Sequence, residues 1–188
     1  MPRPSRTALA FVVALGLVAG GFGGGWFAAR ATRSPDPLAW ATLTLPSSGV
    51  ELPQRFDGSA DPCPDYAISS PATSPGTTAD ARGFVWAHGS MHVLCQGATS
   101  VFGGADALAD ARVDQGPDAD KPLTQQPVRV QGPFGTAVRL DTALGEDQVL
   151  SEWFVERDGT VLAIGYLHDP AAADWPTVDA VLGSFAWR

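Results

Sequence analysis

Two runs of apolar residues near the C-terminus alternate with polar ones and are joined by Asp158-Gly159. The runs, Gln148–Arg157 and Thr160–His168, have the two-residue period of strands, and Asp-Gly between such runs is the strongest short signal for a hairpin. A two-residue turn sets three pairs opposite each other: Val155 and Leu162, Trp153 and Ile164, Ser151 and Tyr166. His168 then stands opposite Val149 at the far end, where we expect a rim residue and not a catalytic base.

A third alternating run precedes this hairpin. Along 136–142, Val138 and Leu140 face one way, whereas Arg139 and Asp141 face the other. One apolar side and one polar side are typical of a half-buried strand.

Further upstream the pattern predicts a second hairpin and a first strand. Gly83–His88 and Met91–Cys95 are strand-like and flank Gly89-Ser90, which we interpret as the turn. Trp40–Leu45 predicts the first strand of the domain. Between them, residues 46–82 are rich in Pro, Gly, Ser, Thr and Asp, which favour turns and irregular coil over regular elements.

The C-terminal segment has a helical period. Asp174 is a suitable N-cap, and Pro176 is tolerated in a first helical turn. Apolar residues then recur at helical spacing: Trp175, Val178, Val181, Leu182 and Phe185. Ala105–Ala111 has the composition of a short helix, and Ser184–Trp187 predicts a final extended piece. The fold class is therefore α+β, an antiparallel β-meander covered by a C-terminal amphipathic helix.

The N-terminal segment 1–31 predicts export. Arg3 and Arg6 precede an apolar stretch over 8–29, followed by Arg30. A cleaved signal peptide would end at Ala29-Arg30-Ala31, whereas an uncleaved signal-anchor helix would use the whole stretch to span the bilayer. The glycine run Gly20–Gly25 weakens both interpretations, and the anchor is favoured. No cysteine follows the apolar run, so a lipoprotein lipobox is absent.

Export places both cysteines in an oxidising compartment. Cys63 and Cys95 are then expected to form a disulfide, with two unpaired thiols or metal ligands as the alternatives. His88, His92 and Cys95 have a spacing that would share one helix face. Because this stretch is strand-like, His92 and Cys95 point to opposite faces, and a metal site is not expected.

Composition narrows the class of protein further. After the linker 32–39, residues 40–188 have the length of a single extracytoplasmic domain, with a compact core expected over 83–188. Nine basic side chains stand against twenty acidic ones beyond Ala31. Such a surface repels nucleic acid and anionic lipid headgroups. Lys121 is the only lysine, and the abundance of Ala, Gly and Pro indicates a high-GC bacterial gene.

Three segments resemble a known family. The segments are Glu152-Trp153-Phe154-Val155, the Asp158-Gly159 turn and Val181–Phe185. Together they resemble the PsbP-like α/β/α sandwich family, and most of all its actinobacterial LpqN-type envelope proteins. The likeness spans Gly83 to Trp187. It implies a non-catalytic binding or assembly module without a family active site. The missing lipobox is a departure from the lipoprotein branch.

The sequence thus predicts a non-catalytic binding or accessory domain of the bacterial cell envelope. We expect it to be tethered to the membrane by its N-terminal segment, or secreted after cleavage, and to engage a protein partner. No cofactor, metal or nucleic acid is expected. The alternative is an extracytoplasmic hydrolase or a small-ligand or lipid carrier, although the motifs G-x-S-x-G, H-E-x-x-H, S-x-x-K and Walker A are missing from the mature region.

Overall fold

The computed structural model describes residues 42–114 and 127–188. The predicted export segment 1–31 and the linker 32–39 lie outside these residues. The strands are β1 (Thr42–Thr44), β2 (Gln54–Ala60), β3 (Cys63–Ser70), β4 (Gly83–Trp86), β5 (Gly89–Ala98), β6 (Val128–Gly132), β7 (Gly135–Ala143), β8 (Val149–Arg157), β9 (Thr160–His168) and β10 (Ala186–Trp187). The helices are α1 (Thr99–Phe102), α2 (Ala105–Asp114) and α3 (Trp175–Gly183). Among the described residues, no helix combines the length and apolar character needed to cross a membrane.

The predicted hairpin at Asp158-Gly159 is confirmed. Strands β8 and β9 pair in the expected register, with Val155 opposite Leu162 and Val149 opposite His168. Both turn residues have positive φ, 48° and 74°, as the tightest hairpin turns require. The expectation that His168 lies at the rim is wrong. It is 5% exposed, because the C-terminal helix and its preceding loop cover this end of the hairpin.

Among the described residues, seven strands form the main sheet, in the order β1-β6-β7-β8-β9-β5-β4. Every neighbouring pair is antiparallel except β1 with β6, so β6 to β9 form the expected meander. The β4–β5 hairpin turns at Ala87-His88, and the predicted turn residues Gly89 and Ser90 belong to β5 instead. A Cβ at Gly89 would meet the Tyr166 ring, so the glycine serves a close approach within the sheet.

The expectation of irregular coil throughout 46–82 is wrong. Strands β2 and β3 form there and combine with β10 into a second, three-stranded sheet in the order β10-β3-β2. The core is not confined to 83–188 either, because Cys63, Tyr66 and Ile68 of β3 are buried in it. Long-range packing overrides the turn-rich local composition here.

Helix α3 forms as predicted and covers one face of the main sheet together with the second sheet. The Asp174 carboxylate accepts a hydrogen bond from Thr177 N at 3.3 Å, which caps the first turn. Val178, Val181 and Leu182 are fully buried, and Phe185 stacks on Tyr66 of β3 at 5.5 Å. Helix α2 contacts β7 and β8 and buries Leu108 and Ala109. The described part is therefore an α+β structure consisting mostly of strands.

The predicted disulfide between Cys63 and Cys95 is present. Its Cα atoms lie 5.8 Å apart. Because Cys63 belongs to β3 and Cys95 to β5, the bond joins the two sheets covalently.

Candidate functional site

Polar side chains gather at one end of the main sheet, beneath the start of α3. We define the polar cluster as Arg139 and Asp141 of β7, Ser151 of β8, His168 of β9 and Trp175 of α3. The antiparallel register sets Asp141 beside Ser151 and Ser151 beside Tyr166, so neighbouring strands bring these groups together. A polar, solvent-facing side was expected for β7. The structure instead places Arg139 and Asp141 towards α3, so both faces of this strand are covered.

Arg139 is held by a carboxylate and by aromatic rings. Its Nε and Nη2 donate to the two Asp141 carboxylate oxygens at 3.0 and 2.8 Å. Its guanidinium carbon lies 4.4 Å from the centre of the Trp175 ring and 5.4 Å from that of Trp153. A bidentate ion pair fixes the plane of the guanidinium, and the indole faces stabilise its charge. The Asp141 side chain is only 4% exposed, so this pair is largely removed from water.

His168 is in contact with Ser151 and is packed among aromatic rings. Its Nε2 lies 3.2 Å from Ser151 Oγ. Its ring stacks on Tyr166 at 4.4 Å and meets the edge of Trp175 at 5.3 Å. Burial lowers the pKa of His168, although the Asp169 backbone and Asp141 act in the opposite direction. The imidazole is therefore neutral at physiological pH, and one of its nitrogens is an acceptor.

The Tyr166 hydroxyl connects the cluster to two loops. It donates to the carbonyl oxygen of His88 at 2.8 Å and accepts from Asp174 N at 3.2 Å. Burial raises the pKa of Tyr166, so the hydroxyl keeps its proton at all ordinary pH values. Trp86 stacks on the other side of the Tyr166 ring at 5.2 Å. One tyrosine thus fixes the β4–β5 turn relative to the first turn of α3.

Of the contacts in the polar cluster, the Ser151–His168 pair most resembles a catalytic nucleophile with its general base. Ser151 has no exposed surface. Among the described residues, no carboxylate is hydrogen-bonded to His168 Nδ1, so the pair lacks the orienting acid of a catalytic triad. A substrate carbonyl reaches this serine only if the helix or the strands move apart.

A second set of titratable residues lies on the opposite face of the main sheet. His92 and Glu152 flank Gly165 in the strand register, and the His92 ring occupies the space where a Cβ on Gly165 would be. Burial lowers the pKa of His92 to about 4. Burial raises the pKa of Glu152, and Arg112 of α2, at 3.8 Å, opposes that shift. The feature of the sequence that could have indicated this set is Glu152, an acidic residue within the apolar run that forms β8.

The remaining residues of the metal alternative are dispersed. Cys95 is in the disulfide, His92 lies on the opposite face of β5, and His88 is exposed in a turn. Within the two described ranges, no three His, Cys, Asp or Glu side chains converge as metal ligands would.

The fold and the polar cluster define a disulfide-linked α+β sandwich with buried polar groups. No family model and no curated protein sequence matches the chain. Among solved structures, it is similar to cyanobacterial PsbP from Synechocystis sp. PCC 6803, with 14% identity and a TM-score of 0.45 over 76% of this chain and 98% of that one. It is also similar to a protein of Bacteroides thetaiotaomicron VPI-5482, with 10% identity and a TM-score of 0.37 over 65% of this chain and 45% of that one. The narrower resemblance to LpqN-type proteins stays a prediction.

Proposed function

We propose that this chain is a non-catalytic binding or accessory domain of the bacterial cell envelope. Its N-terminal segment attaches it to the membrane, and its folded part engages a protein partner outside the cytoplasm. The observation that best supports this proposal is that the potentially reactive side chains contact one another below the protein surface. Arg139 is committed to Asp141, and His168 contacts Ser151 within an aromatic stack. These contacts rigidify the domain, and the partner is bound by its outer surface.

The disulfide supports the proposed compartment. Structural disulfides persist in oxidising environments and are rare in the cytoplasm. The bond between Cys63 and Cys95 crosses from one sheet to the other, so it contributes to the fold itself. It therefore agrees with the export signal expected from residues 1–31.

The charge of the domain supports a partner with a basic surface. Acidic side chains outnumber basic ones about twofold beyond residue 31, and many of them are exposed, among them Glu51, Asp65, Glu146 and Asp147. Complementary charge accelerates association and makes it sensitive to salt. We therefore expect the partner complex to weaken as ionic strength rises.

Site-specific photo-cross-linking in living cells tests this proposal. A photoreactive amino acid replaces Val101 of α1, which is 60% exposed, in the full-length chain. The matched control carries the same probe at buried Leu108 of α2. A membrane-associated adduct with one envelope protein, formed at Val101 and not at Leu108, supports the proposal. The absence of any adduct at several exposed positions overturns it.

A hydrolase is the second candidate, because Ser151 Oγ and His168 Nε2 lie 3.2 Å apart. Incubation of the purified full chain with a fluorophosphonate probe distinguishes the two. The proposed binding function predicts no covalent label on Ser151, since the hydroxyl is buried. Stoichiometric labelling that Ser151→Ala abolishes, with the fold retained, would replace the binding proposal by an acyl-transfer enzyme.

A further inference from the structure

Strand β2 is an edge of the three-stranded sheet. It pairs with β3 on one side, and no backbone hydrogen bond between described residues reaches its other side. Its residues Arg55 and Asp57 are exposed, whereas Phe56 between them packs against the core. An edge strand with free backbone groups is a template for pairing with another strand.

The hydrogen bonds of β3 show which backbone groups of β2 point outward. Ser69 N donates to Ser184 Oγ at 2.8 Å, and the Asp65 carbonyl accepts from Arg188 N at 2.9 Å, both on the side away from β2. In an antiparallel pair, residues alternate between facing the partner and facing away from it. Arg55 lies opposite Ser69, so its N–H and C=O point to the open side, and those of Asp57 do the same.

The sequence of this edge is complementary to itself. When two copies of β2 run antiparallel about a two-fold axis at Phe56, Arg55 of each copy faces Asp57 of the other. An axis at Arg55 or at Asp57 places like charges opposite each other. An axis between two residues sets outward-pointing groups against inward-pointing ones, so it forms no ladder. The axis at Phe56 alone satisfies both the hydrogen bonds and the charges.

We propose that a second copy of this chain docks on β2 in this register, independently of the partner inferred above. The two three-stranded sheets then become one continuous sheet. Arg55 and Asp57 exchange two pairs of backbone hydrogen bonds and two cross-strand ion pairs with their counterparts. Arg188, which contacts Asp57 at 2.6 Å, extends each ion pair into an alternating row of charges. Pro53 has no N–H and ends the ladder beyond β2.

Charges on edge strands commonly serve to prevent pairing. Preventing pairing requires the β2 strands of two copies to repel each other. In this register the positive Arg55 faces the negative Asp57 of the other copy, so the charges attract. The outer side of β4, an edge of the main sheet, is engaged within the chain, since Val85 accepts from Ser74 N at 2.8 Å. β1, the other edge of that sheet, spans only three residues, and β10, the other edge of the three-stranded sheet, spans two. Among the described edges, β2 is therefore the one suited to a second copy.

Two variants of opposite charge test the register. Arg55→Asp makes the edge acidic at both positions, and Asp57→Arg makes it basic at both, so each variant repels itself. A mixture of the two restores opposite charges in both pairs of a heterodimer. Because a two-fold interface repeats each contact, each variant alone should associate about tenfold or more weakly than the wild type. Glu146→Arg, the same type of charge change on an exposed residue outside β2, is the control.

The measurement is sedimentation velocity of the full chain in detergent, with circular dichroism to confirm folding. We expect a concentration-dependent dimer for the wild type and for Glu146→Arg, weakened self-association for each edge variant, and a heterodimer in the mixture. A monomeric wild type at all concentrations would overturn the proposal. So would a dimer that the edge variants leave unchanged, since it would then form elsewhere in the chain, or a mixture that fails to associate.

Discussion

Lowering the pH from neutral protonates His92 in the unfolded chain before it protonates the same residue in the folded domain. Burial lowers the pKa of His92 from 6.5 to about 4, because the imidazolium would lose its hydration against Gly165. Stability from this residue is therefore complete above the unfolded pKa and is lost as the pH falls towards the folded one. One pKa unit corresponds to 1.36 kcal/mol, so the full loss is about 3 kcal/mol.

The assay is urea unfolding of the full chain at a series of pH values. The free energy of unfolding of the wild type should fall by about 3 kcal/mol more than that of His92→Gln between roughly pH 7 and pH 4. The control, His88→Gln, removes an exposed histidine from the β4–β5 turn and should follow the wild type. Burial raises the pKa of Glu152, which acts in the opposite direction, so the comparison between variants isolates His92.

Parallel curves for the wild type and His92→Gln would refute this reasoning. They would mean that the imidazole takes up its proton in the folded state as easily as in water. The packing of the ring against Gly165 would then not exclude solvent. A loss of stability at low pH that His88→Gln abolishes and His92→Gln leaves unchanged would refute it equally.

Three further changes have expected effects on the free energy of unfolding. Cys95→Ala breaks a bond across a sequence separation of 32 and should cost about 4 kcal/mol by the loop-entropy relation; Cys63→Ala should cost the same in urea unfolding. Gly165→Ala drives a methyl group into the His92 ring and should cost about 1–3 kcal/mol, part of which His92→Ala restores in a double-mutant cycle. Asp174→Ala removes the cap of α3 and should cost about 1 kcal/mol, seen as a lower Tm in thermal unfolding.

The sequence pattern predicted the secondary-structure elements that are determined mainly by residues close together in the sequence. The β8–β9 register follows from the alternation and from Asp158-Gly159, because a two-residue turn fixes every pair that follows it. Helix α3 follows from Asp174 and from the spacing of Val178, Val181 and Leu182. In both cases neighbours in sequence supply the deciding contacts.

Elements that depend on distant contacts were not predicted. β3 lies among turn-forming residues and pairs with β2 and β10, the latter from the far end of the chain. Its Tyr66 is buried only because Phe185 and Ala81 meet it there. No local pattern contains that information.

The candidate site was hidden for a related reason. Alternation along β7 correctly separates Val138 and Leu140 from Arg139 and Asp141, but it cannot show that α3 covers the polar side as well. His168 was placed at the rim by the hairpin alone, and the covering loop and helix bury it. The sequence did predict the Cys63–Cys95 bond, because an expected export signal and an even number of cysteines are chemical clues that do not depend on topology.

The covalent link between β3 and β5 also bears on how the domain opens. The second sheet is small, and its β2 edge has no backbone hydrogen-bond partner among the described residues. In the reduced protein it is therefore the layer expected to detach first while the main sheet persists. With the bond closed, β3 cannot leave without pulling on β5, which is hydrogen-bonded to β9 and β4. Backbone amides of both layers should then exchange with solvent in one cooperative event, and reduction should divide that event into two.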